Sequence, residues 1–487
     1  MAGKKTNLKS PKSKTSTKNR EFAVITYLFV GIFICLMGYF VYFQVVRSED
    51  VINSPYNKRQ DTFVEHVVRG EIKSADQVVL AQTVTNEDGT QTRYYPYGGM
   101  FAHALGYDSN GKSGIESFAN FSLLRSHAFY PEQIVNGIQN EKNPGDNVVT
   151  TLDYQLQEIA YNALGANKGA VVAMEPSTGK ILAMVSKPDF NPNSITADWE
   201  AIVSDDTNSV LLNRVTQGLY PPGSIFKIFT LLEYIQEHTQ ENLQANLDYS
   251  YNCMGSITVD DTTINCYNGA VHGEEDLITS FAKSCNGSFA KIGLGLEQDS
   301  FAKLCNSLLF NADLPTSYPY KGSSFVLDHT SSEAEIMQTA IGQGKTLVTP
   351  LHMELITCAI ANRGIMMRPY IIDHTENYNG VSVKEYAPLA YGTFLKENEY
   401  RILQEYMEYV VTNGTGSKLN GGNYTAAGKT GSAEYNNTKG DSHAWFTGYA
   451  YQESGEIAVT VIVEGGGAGS ETAVPIARQL FDAYFNR

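Results

Sequence analysis

Basic charge is scarce in most of this 487-residue chain, although 42% of its residues are hydrophobic. Seven of the 36 Lys and Arg residues lie within residues 1–20, so the remaining chain carries 29 basic residues against 52 acidic ones. An acidic body excludes wrapping of nucleic acid, because phosphate binding requires a basic face. The sequence also lacks an internal repeat and, outside its Lys/Ser-rich start, any low-complexity segment. These features are those of a folded protein with a large core.

Charge is entirely absent from residues 22–43 (FAVITYLFVGIFICLMGYFVYF). This run spans about 33 Å as a helix, which is enough to cross the core of a bilayer. It is longer than the apolar region of a signal peptide, and no small-x-small cleavage site precedes Arg47. We therefore expect a transmembrane helix rather than a cleaved signal peptide or a buried helix. The basic residues before it predict a cytoplasmic N-terminus and an extracytoplasmic body in a single-pass membrane protein.

The texture of the sequence changes along the extracytoplasmic part. Residues 46–148 contain short alternating strands and no long helical pattern, which is typical of a spacer or pedestal. From residue 149 onward, two apolar runs joined by Pro-Ser-Thr-Gly predict a hairpin, and later strands also close by hairpins. The fold class is therefore predicted as α+β, an antiparallel sheet flanked by helices. The predicted organisation is a basic tail (1–20), a transmembrane helix (21–45), a β-rich pedestal domain (46–148) and an α+β domain (149–487).

A helix breaker, YPPG, stands directly before Ser224 and a predicted helix near residues 224–238. This helix is apolar on nearly every face (IFKIFTLLEYI) and is therefore expected to be buried. Ser224 and Lys227 share one of its faces, so the spacing places an amine next to a hydroxyl. A buried lysine is either paired or loses its proton, which makes Lys227 a candidate base for a Ser224 nucleophile.

The Ser-x-x-Lys pattern alone is weak, because it also begins at five other serines: Ser109, Ser177, Ser280, Ser288 and Ser300. Ser109 and Ser177 lie in turn-like stretches. The other three lie in predicted helical sequence between residues 276 and 300, without a preceding helix breaker. Two further motifs favour Ser224, namely Ser284-Cys285-Asn286 and Lys429-Thr430-Gly431, the second in a predicted strand over 424–434. Each also has a purely structural interpretation, which is a helix cap for Ser-Cys-Asn and a turn for Lys-Thr-Gly. In this order, however, the three are the signature of penicillin-binding proteins and class A β-lactamases.

Longer blocks carry the same resemblance across residues 147–487. They are, in order, GAVVAMEPSTGKILAMVSKPDFNPN, NRVTQGLYPPGSIFKIFT, IGQGKTLVTPLHMELITCAIANRG, GKTGSAE and HAWFTGYA. On these blocks the chain resembles the class B penicillin-binding proteins, which are monofunctional D,D-transpeptidases of peptidoglycan synthesis. The pedestal resembles this family more loosely, through segments that begin at Arg69, Arg93 and Gly114. It departs from the family where Asp, Arg and Gly are usual, at Ser74, Ala75 and Gln77.

The resemblance implies the fold of the penicillin-binding and serine β-lactamase group and a role for eight residues. Ser224 attacks the penultimate D-alanine carbonyl of a stem peptide and Lys227 takes its proton. Ser284 then relays a proton to the leaving amine, and an amine from a second stem peptide resolves the acyl-enzyme. Penicillin and other β-lactams are the implied inhibitors, and this catalysis needs no cofactor or metal. The implied catalytic residues are Ser224, Lys227, Ser284, Asn286 and Lys429, and the implied substrate-binding residues are Thr430, Gly431 and Ser432.

Three of the six cysteines fall near these motifs. Cys253 and Cys266 flank a short loop in the extracytoplasmic part, where a disulfide is the commonest interpretation. With His272 and Cys285 they could instead form a Cys₃His zinc site, and some elongation-type relatives do carry a metal in this region. Free thiols are the third alternative. The sequence leaves all three open.

Several related functions compete with transpeptidation. A class A β-lactamase has a Glu three residues before Leu-Asn, whereas Ser209 and Gly416 stand there in this chain. A sensor is disfavoured by the short N-terminal tail, but a D,D-carboxypeptidase and a catalytically silent scaffold stay open. About 100 residues between anchor and catalytic domain are too few for a glycosyltransferase. The resemblance therefore implies a separate polymerase of the shape, elongation, division and sporulation (SEDS) family as a partner.

Overall fold

The structure, a computed structural model, describes residue 3 and residues 15–47, 64–205, 207–239, 247–434 and 442–486. Most of the predicted cytoplasmic tail and the first residues of the predicted pedestal lie outside these ranges. The chain divides into two compact units, Met1–Lys58 and Arg59–Arg487. The predicted pedestal and the α+β domain thus belong, in their described parts, to one unit.

The first unit contains one long helix, Thr15–Tyr42, which continues into a short π-helix at Phe43–Arg47. Within it, Arg20–Tyr42 has a mean hydropathy of 2.4, and none of that apolar surface is buried. A helix of this length and composition fits the single-pass membrane anchor expected from the sequence. Its orientation stays a prediction.

A five-stranded antiparallel sheet forms the centre of the second unit. We call it the catalytic sheet. The predicted hairpin around Pro-Ser-Thr-Gly is confirmed, with Val172 opposite Met184. The strands are, in spatial order, Thr425–Glu434, Ser442–Gln452, Gly455–Val463, Gly169–Met174 and Ile181–Lys187.

Helices cover both faces of the catalytic sheet, which confirms the predicted α+β class. Gly469–Phe485 and Tyr154–Leu164 pack on one face through small and aliphatic side chains such as Ala477 and Leu480. The opposite face meets Pro350–Ala361, whose first eleven residues are all buried. The other helices of this part are Ile195–Ser204, Arg214–Gln217, Lys227–Glu237, Leu277–Ala282, Asn286–Gly295, Gln298–Ser307, Glu333–Ala340 and Glu397–Asn413.

A second, six-stranded sheet joins the pedestal to the rest of its unit. Two of its strands, Ile372–Glu376 and Ser382–Glu385, come from far along the chain and pair next to Asn147–Thr150. The other strands are Ile72–Lys73, Val79–Thr85 and Gln91–Tyr94. Smaller two-stranded pairs are Val67–Val68 with Asn143–Pro144, Tyr251–Cys253 with Gly273–Glu275, Ser256–Val259 with Thr262–Asn265, and Ile365–Met367 with Ala390–Thr393.

The pedestal also contains helices, contrary to the expectation of a segment without a long helical pattern. The longest is Tyr130–Gln139, which starts with a proline in its first turn and buries none of its residues. Its β-branched residues and Gly137 have low helix propensity, which explains why the sequence did not indicate it. Shorter helices are Ala102–Leu105, Gly114–Phe118 and Asn120–Leu123.

The pedestal segments that resemble the family meet at one buried carboxylate, Glu116. Arg69 donates from Nε to Glu116 Oε2 at 2.6 Å, and Arg93 donates from Nε to Oε1 at 2.7 Å. Tyr95 donates to the same Oε1 at 3.3 Å. Burial alone would raise the pKa of Glu116, but the two guanidinium groups outweigh it and lower the pKa. This triad therefore ties three separate segments of the pedestal together.

We expect Glu116→Gln to destabilise the protein by about 3–5 kcal/mol, because it leaves two buried guanidinium groups without a counter-charge. Chemical denaturation of the wild type and the variant measures this loss. The stability that Glu116 contributes should be present above the unfolded glutamate pKa of about 4.3 and fade as the pH falls. Glu405→Gln, on an exposed helix position, is the matched control and should change little. Equal stabilities for the two variants would contradict the central role of Glu116.

Candidate active site

The helix that carries Ser224 begins with a tight turn against the edge of the catalytic sheet. Gly223–Phe226 forms a 3₁₀ turn that runs directly into Lys227–Glu237. Gly223 has φ +54°, and a Cβ there would lie only 2.8 Å from the carbonyl oxygen of Ser432. Gly342 holds this turn from the other side, accepting the Gly223 N–H at 2.8 Å. Close approach of the backbones thus places Ser224 beside the edge strand.

Lys227 is completely buried and donates to the Ser284–Asn286 segment. Its Nζ lies 2.7 Å from the Ser284 carbonyl oxygen, 3.2 Å from Ser284 Oγ and 2.7 Å from Asn286 Oδ1. Burial lowers the pKa of Lys227 to about 8, partly offset by the nearby Cys285. Within the described chain, no hydrogen bond joins Lys227 to Ser224. The side-chain hydrogen bonds of Lys227 in the described chain thus all go to the second motif.

Ser284 lies at a break between two helices, Leu277–Ala282 and Asn286–Gly295. Its φ of +58° is a left-handed conformation, which non-glycine residues adopt uncommonly. The single helix predicted over 276–295 is therefore wrong. The break turns Ser284 Oγ toward the edge strand, where Lys429 Nζ donates to it at 2.8 Å. Both buried lysines consequently donate to one hydroxyl.

Lys429 lies in the edge strand Thr425–Glu434 and is also completely buried. Besides Ser284, its Nζ donates to the Thr430 carbonyl oxygen at 3.1 Å. Burial, and then the charge of Lys227, holds the pKa of Lys429 well below its usual range. Among the ion pairs of the described residues, none joins either lysine to a carboxylate. The pocket therefore holds two amines without a counter-charge, which suits it to an anionic group.

Thr430 has a partner that the sequence analysis missed. Its Oγ1 lies 2.6 Å from Oγ1 of Thr415, whose backbone N–H donates to the Ala282 carbonyl oxygen at 3.1 Å. Thr415 therefore bridges the edge strand and the helix that precedes Ser284. The available sequence signal is the pair of glycines that flank it. A Cβ on the first of them, Gly414, would lie 2.3 Å from the Ala282 oxygen.

The remaining predicted residues line the same strand. A Cβ on Gly431 would lie 3.1 Å from Trp445 Cβ and 3.2 Å from Ile225 Cγ2, so a larger residue would press on the start of the Ser224 helix. Ser432 accepts a 3.4 Å hydrogen bond at Oγ from the Gly469 N–H and is only partly buried. The structure thus brings all eight predicted residues to one edge of the sheet.

A cluster of three cysteines and one histidine lies directly beside this site. We call Cys253, Cys266, His272 and Cys285 the thiol–imidazole cluster. All its potential ligand atoms lie within 4.8 Å of one another. The Sγ atoms of Cys253 and Cys266 are 3.6 Å apart, those of Cys266 and Cys285 are 3.9 Å apart, and Cys253 Sγ lies 3.4 Å from Nδ1 of His272. All six cysteines lie in the described chain, and none forms a disulfide.

These distances fit a tetrahedral metal site. Ligands about 2.3 Å from a zinc ion at the corners of a tetrahedron lie about 3.8 Å from each other. Three sulfurs and one imidazole nitrogen are also the donors that zinc prefers. Backbone N–H groups approach the sulfurs, with Gly255 donating to Cys253 at 3.5 Å and Ser288 to Cys285 at 3.4 Å. Of the three alternatives left open by the sequence, the zinc site fits this geometry best.

The site combines a serine at a helix start, two buried lysines and an edge strand, an arrangement suited to a serine acyltransferase. Comparisons with known proteins show the family to which the chain belongs. Residues 169–482 match the penicillin-binding protein transpeptidase domain, and residues 69–148 match the penicillin-binding protein A dimerisation domain. The chain is 29% identical to the peptidoglycan D,D-transpeptidase PbpA of Mycolicibacterium smegmatis, over 90% of this chain and 94% of that protein.

Solved structures agree with this match. The D,D-transpeptidase domain of a peptidoglycan glycosyltransferase from Eggerthella lenta aligns with TM-score 0.76 at 30% identity, covering 86% of this chain and 98% of that one. Penicillin-binding protein A of Mycobacterium tuberculosis, as a ceftriaxone acyl-enzyme complex, aligns with TM-score 0.77 at 26% identity, covering 88% and 100%. The chain belongs to the penicillin-binding protein transpeptidase family and is a serine-type D,D-transpeptidase.

We expect Gly223→Ala to slow acylation of Ser224 by roughly a hundredfold, because the new methyl group would push the Ser224 N–H away from the edge strand. The second-order rate constant for acylation by a fluorescent penicillin measures this effect. Gly137→Ala is the matched control, since no atom lies within 4 Å of a Cβ there. An acylation rate equal to that of the control would show that the close approach at Gly223 does not matter.

Proposed function

We propose that this chain cross-links peptidoglycan stem peptides through a Ser224 acyl-enzyme and is inactivated by β-lactams at the same serine. The observation that carries this proposal is the joint donation of Lys227 and Lys429 to Ser284 Oγ, directly beside the start of the Ser224 helix. The family match and the acyl-enzyme complexes of the M. tuberculosis relative support it.

In the first half-reaction, Ser224 Oγ attacks the carbonyl of the penultimate D-alanine while Lys227 takes the hydroxyl proton. The lowered pKa of Lys227 favours this role, because a lysine must be neutral to accept a proton. The Oγ–C bond forms and the peptide C–N bond breaks. Ser284, in contact with both lysines, delivers a proton to the leaving amine, and the terminal D-alanine departs. A hydroxyl between two amines is suited to such a relay.

Substrate binding falls to the edge strand. The pocket of Lys429, completed by the Thr430 hydroxyl, would bind the terminal carboxylate, and Gly431 leaves room for the peptide backbone. The N–H groups of Ser224 and Ser432 would stabilise the oxyanion, a contribution of about 3–4 kcal/mol per donor. Asn286 would orient the substrate amide while it holds Lys227. In the second half-reaction an amine of a neighbouring stem peptide attacks the acyl carbon and releases Ser224.

We expect penicillin to form a stable adduct on Ser224 of the detergent-solubilised full chain. Intact mass and peptide mapping measure it, with Ser224→Ala as the unreactive variant and Ser300→Ala as the matched control from another Ser-x-x-Lys. Adding a stem-peptide donor with and without an amine acceptor then separates cross-linking from hydrolysis to a D,D-carboxypeptidase product. Absence of an adduct on folded protein would favour the silent scaffold instead.

The proposed context is the outer face of the bacterial cell membrane. The apolar helix Arg20–Tyr42 would anchor the chain with its N-terminus in the cytoplasm, residues 46–148 would form the pedestal, and residues 149–487 the transpeptidase domain. A SEDS-family polymerase would supply the glycan strands. Exposed apolar side chains support a protein contact at the pedestal helix Tyr130–Gln139 and its N-cap residue Phe129. Phe129, Tyr130 and Ile138 are 72%, 73% and 80% exposed.

We expect Ile138→Asp to weaken co-purification with a SEDS polymerase of the same organism, because it places a charge in an apolar contact. Affinity capture of the tagged full chain from co-expressing membranes measures the complex. Gln139→Asp introduces the same charge at a neighbouring exposed position and is the control. Unchanged capture by Ile138→Asp would show that the contact does not use this position of the pedestal helix.

A further inference from the structure

The thiol–imidazole cluster and the catalytic residues share one short segment of chain. Cys285 stands between Ser284 and Asn286, the two residues that accept hydrogen bonds from Lys227. Its own backbone N–H donates to the Ser280 carbonyl oxygen at 2.9 Å, across the helix break. A displacement of the Cys285 side chain would therefore move the backbone directly next to both acceptors.

A second connection runs through Asn286. Its Oδ1 accepts from Lys227 at 2.7 Å, and its Nδ2 donates to the Asn265 carbonyl oxygen at 2.8 Å. Asn265 is the last residue of the strand Thr262–Asn265 and directly precedes Cys266. The side chain that orients Lys227 is thus held on its far side by the backbone next to another member of the cluster.

In the described part of this loop region, the small core consists of cysteine sulfurs rather than aliphatic side chains. Cys253, Cys266 and Cys285 are almost fully buried and form a small core of their own, with Tyr251 packed against it. The Sγ atoms of Cys266 and Cys285 lie 3.9 Å apart, a contact that is weak compared with a metal–thiolate bond. Without a metal, little would fix the position of the Cys285 side chain.

We propose that Cys285 is a positioning residue, and that a zinc ion held by the thiol–imidazole cluster fixes Ser284 and Asn286 for acylation of Ser224. This inference rests on the roles proposed above for Ser284 and Asn286. With four protein ligands the metal has no open position for water or substrate, so its effect reaches the reaction only through Cys285 and Asn265. Loss of the metal should therefore slow acylation without removing any reacting group.

The first test uses cobalt(II), which replaces zinc in such sites and absorbs visible light according to the geometry of its ligands. The full chain in detergent is loaded with cobalt and its absorption is recorded before and after acylation by penicillin. We expect a changed ligand-field band on acylation, because the acyl group on Ser224 enters the pocket lined by the Ser284–Asn286 segment, and Cys285 transmits a shift of that segment to the metal. The Ser224→Ala variant should show the cobalt band but no change with penicillin.

The second test removes a ligand that touches no catalytic residue. Cys253→Ser should lower bound zinc, measured by elemental analysis, and slow acylation by on the order of tenfold. Cys253→Asp keeps a zinc ligand and should restore both. Cys305→Ser removes an equally buried thiol outside the cluster and should leave the zinc content and the acylation rate unchanged.

The outcomes separate this inference from the proposed function. Full-rate acylation of wild-type Ser224 in metal-free protein would overturn the positioning role while leaving the transpeptidase intact. A mass lower by two hydrogen atoms, with a Cys253–Cys266 disulfide in the active protein, would also overturn it. Failure of wild-type, zinc-loaded protein to acylate at all would instead count against the assignment of Ser224.

Discussion

The candidate active site depends on the burial of two lysine amines around one hydroxyl. Lys227 comes from a helix and Lys429 from the edge strand, and both donate to Ser284 Oγ with no carboxylate ion-paired to either in the described chain. Burying such charges costs several kcal/mol each, which is why the pKa values of both lysines fall. An arriving carboxylate would offset this cost. The same arrangement therefore supports both a neutral base and an anion-binding pocket.

This arrangement requires backbones to approach more closely than side chains normally allow. The Ser224 turn touches the edge strand at Gly223, and the loop at Gly342 touches the same turn from behind. On the other side of the pocket, Gly414 brings Thr415 against the end of the helix before Ser284. Glycine is needed at each contact because a Cβ would lie within 3 Å of a backbone oxygen. The pocket is consequently fixed by main chain, which helps it keep its shape while substrates exchange.

Local patterns predicted most of the elements that carry chemistry. The breaker before Ser224, the buried helix after it and the strand around Lys429 were all readable, because each depends on residues close together in sequence. The break at Ser284 was not readable, since the contacts that accompany its left-handed backbone come from two lysines distant in sequence. Thr415 was missed for the same reason, because its contacts are with residues distant in sequence.

The pedestal shows the same limit at a larger scale. Arg69, Arg93 and Glu116 each belong to segments that resemble the family, yet no local pattern indicates that they form one triad. Nor does any pattern indicate that Ile372–Glu376 completes the pedestal sheet, since its partner Asn147–Thr150 lies more than 200 residues earlier. The eight site residues came from motif order, and their hydrogen-bond partners could come only from the fold.

The Ser284–Asn286 segment departs from simple helical structure in order to serve three contacts at once. Its two outer residues meet Lys227, its first residue also meets Lys429, and its middle side chain faces the thiol–imidazole cluster. A continuous helix would separate these side chains by about 100° of rotation each and could not direct them to three neighbours. Strained backbone of this kind costs about 1–3 kcal/mol and persists only where surrounding contacts compensate for it. Hydrogen bonds from the lysines supply part of that compensation, and the burial of Cys285 in the thiol–imidazole cluster holds the middle residue in place.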